Sequence, residues 1–180
     1  INDLMVLLSG PEPQRTMLEE KLLEELHEFE GNILFVKGKI EEDQVREEIE
    51  IPHGKILHYN FMKSDELEQA LNQSDKVLCR SGYTTVMDLA KLEKKAFFIP
   101  TPGQYEQEYL AKRMQKQGLV PYSNQEDFKL NYLSRIDEFD GLTQFESVVD
   151  FSSLFEVFSV AEAFSKVKEN SEPTSTSLST

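Results

Sequence analysis

Short, nearly continuous apolar runs alternate along this chain with stretches in which apolar residues recur at helical spacing. Residues 4–8, LMVLL, read as a strand. In the following PEPQRTMLEEKLLEELHEF, residues Met17, Leu18, Leu22, Leu26 and Phe29 recur with the period of a helix. Residues 32–36 and 55–59 read as the second and third strands. The segment SDELEQALNQS reads as a helix, with Ser64 as its N-cap and Leu67 and Leu71 turned inward. A fourth strand at 76–80, a helix at 84–92 and a fifth strand at 96–100 follow. A helix over about 106–117 is closed by Gly118, and a short sixth strand at 119–122 leads to a last helix, NQEDFKLNYLSRI. The strands are apolar without alternation, as parallel strands covered on both faces are. Repeated β-α alternation therefore predicts an α/β domain with an open, doubly wound, mostly parallel sheet.

One region escapes the pattern. Residues 41–50, EEDQVREEIE, carry six acids and show no apolar face, so they read as a solvated helix or a long loop.

Composition narrows the function classes. A chain of 180 residues with 39% hydrophobic content is one well-buried domain, and the formal charge of −14 argues against a nucleic-acid or anionic-membrane surface. Local phosphate binding through backbone N–H groups stays compatible with that charge. The single cysteine, Cys79, lies inside an apolar strand and reads as packing; it builds neither a disulfide nor a zinc site. No apolar run approaches membrane-spanning length, and no basic leader precedes an apolar stretch, so the expected location is cytoplasmic. The chain enters a strand almost at once, without an initiator Met, as one cut at a domain boundary does. Residues 167–180, rich in Ser and Thr, are expected to form a disordered tail.

Candidate chemistry collects where strands end. In RSGYTT, Ser81 can cap a helix and Gly82 lets a ligand approach the backbone. The first-turn amides, with the hydroxyls of Thr84 and Thr85, would then form an anion site at the positive end of the helix dipole. Asp88 lies four residues after Thr84, on the same helix face, where it could accept hydrogen bonds from ribose hydroxyls. A capped helix with an ordinary acidic turn fits these residues as well. In PTPGQYEQEYLA, a Pro-Gly turn is followed by Gln104, Glu106 and Gln107, natural partners for sugar hydroxyls; helix-capping acids are the plainer account. Ser9 and Gly10 follow the first strand, but one glycine and two prolines make no dinucleotide fingerprint. Arg15 fits a phosphate contact or a surface arginine. His27, His53 and His58 belong to no nucleophile or metal-ligand spacing, and no metal is expected.

Taken together, SDKVLCRSGYTTVMDLAKLEKKAFFIPTPGQYEQEYLAKRMQKQGLV resembles the C-terminal half of glycosyltransferase family 28, which includes the peptidoglycan UDP-N-acetylglucosamine transferase. The resemblance is close over residues 75–120, looser over 4–74, and fades beyond about 135. It implies one Rossmann-like half of a GT-B fold that binds a UDP-sugar and donates a hexose without a cofactor or metal. By position, Ser81, Gly82, Thr84 and Thr85 would hold the diphosphate, and Asp88 the ribose, where the family more often has Glu. Gln107, with Glu106 and Gln104, would contact the hexose, and the backbone at Phe61 and Met62 would read the uracil. Ser9 and Gly10 match the loop after the first strand, although SGPEPQ departs from the glycine-rich form. The resemblance implies that residues 1–166 are the donor domain and that an N-terminal half, which carries the acceptor (a sugar or lipid-linked sugar) and most of the base machinery, is absent from this chain. The helical stripe of Phe151, Leu154, Phe155, Phe158 and Ala161 packs on its own sheet or crosses to that half. A UDP-sugar hydrolase, an epimerase, or a non-catalytic donor-binding subunit of a two-chain transferase are the alternatives.

Overall fold

The computed structural model describes residues 2–39 and 43–144. The stripe at 151–161 and the tail at 167–180 lie outside the described residues. Among those described, β1 (Asn2–Leu7), β2 (Gly31–Val36), β3 (Arg46–Ile51), β4 (Gly54–Tyr59), β5 (Ser74–Cys79) and β6 (Lys95–Phe98) form one sheet in the order β3-β4-β2-β1-β5-β6. All neighbours pair in parallel except β3 and β4. Helices α1 (Gln14–Glu25), α2 (Ser64–Asn72), α3 (Tyr83–Lys91) and α4 (Tyr105–Lys116) connect them. This is the doubly wound, mostly parallel α/β architecture that the pattern predicts.

Burial follows the pleat. Leu4, Val6 and Leu8 share one core cluster with Ile33, Phe35 and Ile56, and Leu18 and Leu22 of α1, with Leu26 just after it, pack into it. Phe128, Leu133 and Ile136, from the 3-10 segment and the loop before it, complete that layer. The alternate residues Met5, Leu34, Val36, Val77, Cys79, Ala96 and Phe98 are also buried, as the period of two requires on a sheet covered on both faces. Right-handed crossovers put α1 on one face and α2 and α3 on the other, because α1 leads leftward to β2 while the later helices lead rightward. Met17 departs from the expected apolar stripe and is half exposed, since Leu18, Leu22 and Leu26 already fill the inward face.

Several local expectations need correction. Within the acidic region, residues 46–51 are neither helix nor loop but the antiparallel edge strand β3, joined to β4 through Pro52 and His53, with Ile51 opposite Gly54. Only Ile51 of this strand is buried, and its acids line the sheet edge, where charge discourages pairing with another chain. Residues 119–122 contribute one parallel bridge, Tyr122 to Phe98, in place of a strand; Pro121 has no N–H to extend it. The last helix starts later than expected and is the 3-10 segment Leu130–Glu138. Ser64 is the first helical residue of α2 and Lys63 is the cap, with the Glu66 carboxylate accepting from the Lys63 N–H at 3.1 Å. Gly118 behaves as expected: at φ 73° it closes α4, its N–H bonding Gln115 O and the Leu119 N–H bonding Met114 O.

The start of β4 leaves no room for a side chain. A Cβ on Gly54 would stand 2.0 Å from the carbonyl oxygen of Gly31, its partner on β2. Gly54→Ala is expected to lower unfolding free energy by about 1–3 kcal/mol, as overpacking does. Urea denaturation followed by circular dichroism measures it; an unchanged midpoint would contradict this strand register.

Candidate functional site

Because β1, β2, β4, β5 and β6 run parallel, their carboxyl ends share one rim. The winding reverses between β1 and β5, and a crevice opens at such a reversal. Ser9, Gly10, Phe61, Met62, Ser81 and Gly82 all follow strands at this rim, as does the loop from Thr101 to Gln104.

The rim is organised by a residue that sequence reasoning took only as a strand end. Arg80 is 1% exposed and directly follows β5. Its Nη1 donates to the carbonyls of Ile99 (3.2 Å) and Pro100 (3.3 Å), and its Nη2 to Gln14 O (3.1 Å) and Gln125 Oε1 (2.7 Å). One guanidinium thus joins the end of β5, the loop after β6, the start of α1 and the segment after Tyr122. Burial lowers its pKa to about 10, so it stays charged at neutral pH. The signal was available: an arginine ending an apolar parallel strand has to be buried or turned outward at the rim.

Ser81 is not a helix cap. Gly82 occupies that position, no side chain caps α3, and the Ser81 hydroxyl, fully buried, donates to Gln107 O at 2.7 Å. The bond ties the turn after β5 to the first turn of α4. Gly82 itself has an ordinary φ of −67°, and nothing lies within 4 Å of where its Cβ would stand. Thr84 and Asp88 are both exposed on α3, one turn apart. The Asp88 carboxylate is 55% exposed and its nearest cation is Lys91, at 3.9 Å.

The loop after β6 is held from within. Gln107 Oε1 accepts from the Thr101 N–H (2.8 Å), and Gln107 Nε2 donates to Gln104 Oε1 (2.7 Å). Glu108 accepts from the Gly103 N–H at 3.1 Å, and Glu106 is exposed. Thr101 Oγ1 is buried without a partner and faces Gly10, whose Cβ would stand 3.5 Å from it. Gly10 therefore meets the loop after β6, at φ 101°, a conformation that favours glycine. Tyr105, 65% exposed beside these residues and stacked on Tyr109, is a rim aromatic that the pattern did not single out.

The remaining candidates lie on the other flank. Buried Asn60 arranges the loop after β4: its Oδ1 accepts from Val45 N (2.8 Å) and Phe61 N (3.0 Å), and its Nδ2 donates to Asp43 O (2.6 Å). Gln44 donates to Phe61 O at 3.3 Å. These bonds place Phe61, and Met62 follows it. Arg15 is neither a surface residue nor turned to the crevice. It is buried, bonded to Lys37 O (3.2 Å) and paired with Glu12. Glu19 beside it accepts from Lys37 Nζ at 2.7 Å. His58, edge-on to Phe35, is buried near the same Glu19, and desolvation with the Lys37 charge pushes its pKa down. Burial raises the Cys79 thiol far above its usual range, which fits packing. Among the described residues no three His, Cys, Asp or Glu side chains group to hold a metal, and no helix is long and apolar enough to cross a membrane.

The model of the glycosyltransferase family 28 C-terminal domain matches residues 13–137. The chain belongs to that family. Family 28 membership agrees with the fold: the structure of Acinetobacter baumannii MurG matches with a TM-score of 0.57 and 19% identity, over 78% of this chain and 43% of that one. The glycosyltransferase VinC, solved in complex with dTDP, matches at 0.54 and 13% identity, over 89% of this chain and 42% of that one. The solution structure of ALG13 matches at 0.55 and 14% identity, over 78% of this chain and 88% of that one. No curated protein matches the sequence. The family 28 domain thus spans less than half of the MurG and VinC chains and most of ALG13, and it has the architecture of one Rossmann-like half of a GT-B fold.

Gln107→Ala would strip the buried Thr101 N–H of its acceptor. An unfolding free energy lower by about 1–2 kcal/mol is expected, with faster hydrogen exchange at the Thr101 amide. Unchanged exchange there would mean that the loop is held by something else.

Proposed function

We propose that this domain binds a UDP-sugar along the β1–β5–β6 rim and presents its hexose to an acceptor held by a second domain, as the donor half of a glycosyltransferase. The observation that carries the reading is Gly82. Its backbone angle suits any residue and the space beside it is open, so the fold has no need of glycine there; a ligand lying against the amino end of α3 does. The uncapped first turn supplies N–H groups and a positive dipole end to a diphosphate, with Thr84 and Thr85 beside it. Because the Ser81 hydroxyl is committed to Gln107, Ser81 contributes backbone to this site.

Asp88, exposed one turn deeper, accepts the ribose hydroxyls. The hexose falls to Gln107 with Glu106 and Gln104, which the first turn of α4 and its N-cap place together at the rim. Phe61 and Met62 provide the surface for the uracil, and Ser9 and Gly10 one wall of the crevice. VinC, whose structure holds dTDP, supports a nucleoside diphosphate in this type of fold. The anion is compensated by backbone dipole, so no divalent metal is required. The domain that holds the acceptor stands on the same chain or on a separate one; the 88% coverage of ALG13, a chain of about one domain, supports the separate form.

Calorimetry is expected to detect UDP binding that is unchanged by chelator, and loss of binding in chelator would sink the metal-free site. Asp88→Ala should weaken UDP by roughly 1.5–3 kcal/mol, the range of charge-assisted hydrogen bonds, while Asp88→Glu is tolerated. Gly82→Ala should keep the melting temperature and still weaken UDP; equal affinity would remove the amino end of α3 from the site. In a radiolabelled-donor assay the domain alone should transfer no sugar, because transfer needs an acceptor held against the anomeric carbon with a base in reach. Efficient transfer without a second domain would refute the half-site reading.

A further inference from the structure

Arg80 carries a full charge in the interior with no counter-ion. Its four hydrogen bonds all go to neutral oxygens, three backbone carbonyls and the Gln125 amide. No ion pair among the described residues includes it. Its Nε is buried without a partner. Buried charges are ordinarily paired, because carbonyl dipoles replace only part of the lost hydration. This one also stands beside the amino end of α1, through Gln14, and one residue before the Ser81–Gly82 turn that opens α3. Both helices direct their positive ends to the same rim, so the local field is already positive before the guanidinium is added. In a chain of formal charge −14, an unneutralised cation at this point is an exception to the overall balance.

We propose that Arg80 is the fixed countercharge of the rim, a positioning residue whose buried guanidinium stabilises an anionic group bound at the amino end of α3 without touching it. The inference rests on the anion site of the reading above and assigns that site its electrostatic source. In a poorly polarisable interior a unit charge acts over several ångströms, so a residue outside hydrogen-bond reach still contributes to anion affinity. The same guanidinium shapes the site by holding the loops after β5 and β6 together, and a substitution of Arg80 itself would confound the two roles.

Gln125 separates them. Its Oε1 lies 2.7 Å from Arg80 Nη2, so Gln125→Glu retains that hydrogen bond and supplies the missing negative charge, at the cost of the Nε2 donation to Gln14 Oε1 (3.1 Å). A purely structural Arg80 gains an ion pair in this variant and loses nothing in binding. A countercharge is neutralised and loses anion affinity. The experiment titrates the full chain and the Gln125→Glu variant with UDP, inorganic pyrophosphate and uridine, by calorimetry or NMR shifts, and records melting temperatures. The expected result is a melting temperature unchanged or raised, UDP and pyrophosphate weakened about tenfold (about 1.4 kcal/mol), and uridine unaffected. Arg80→Lys, where it folds, should lose less affinity than Arg80→Gln because the charge remains. Equal affinity for UDP and pyrophosphate in Gln125→Glu overturns the proposal while leaving the donor site standing. A lower melting temperature reports the lost Gln14 bond and leaves the affinities to decide; where Gln125→Glu does not fold, equal anion affinity in Arg80→Lys and Arg80→Gln overturns the proposal. Wild-type protein that binds pyrophosphate but not UDP defeats the nucleotide reading alone, and the pyrophosphate comparison then decides Arg80. Binding of neither anion defeats both.

Discussion

The reversal of winding at β1 is the constraint on which the rest of this domain depends. β1 is paired in parallel on both sides, with β2 and with β5, and the chain builds outward from it first in one direction and then in the other. Right-handed crossovers then force α1 to one face of the sheet and the later helices to the other. At the reversal the connections that leave β1 and β5 diverge to opposite faces. A crevice at that point is a consequence of chirality and strand order, before any side chain is considered.

Side chains decide what the crevice becomes. Arg80 draws the loops after β5 and β6 and the start of α1 onto one guanidinium, while Ser81 and Gln107 fasten the adjoining helix starts to each other. These bonds are at least partly buried, so they hold the spacing of the loops. Exposed groups, Thr84, Asp88 and Glu106, stand on that frame. Hydrogen-bonded polar groups hold the backbone, and solvated side chains stand outside them.

The low identity to MurG, VinC and ALG13, 13–19%, is compatible with a common fold because a core tolerates exchange among apolar residues of similar volume. Pattern and topology persist where identity does not. Chemistry is more local, and for that reason the shared fold alone says little about substrate. What links this chain to glycosyl transfer is its family 28 match over residues 13–137.

Sequence alone determined the layered α/β plan, since unbroken apolar runs such as LMVLL and NILFV are stable only as strands covered on both faces. It also determined the closure of α4 at Gly118 and the strand-to-helix turn at Ser81 and Gly82, because turn chemistry is encoded within a few residues. The edge strand β3 was hidden, as a strand with one buried residue in six carries almost no apolar signal and is defined by its partner β4. Arg15 and Ser81 looked available locally, and tertiary packing buried both. Arg80 was the largest omission: its acceptors lie 19, 20, 45 and 66 residues away in the chain. Local periodicity records which face a residue presents, whereas the partners of a buried polar group are set by which distant segments the sheet brings together. Only the folded chain could decide that an arginine at a strand end would become the centre of the rim.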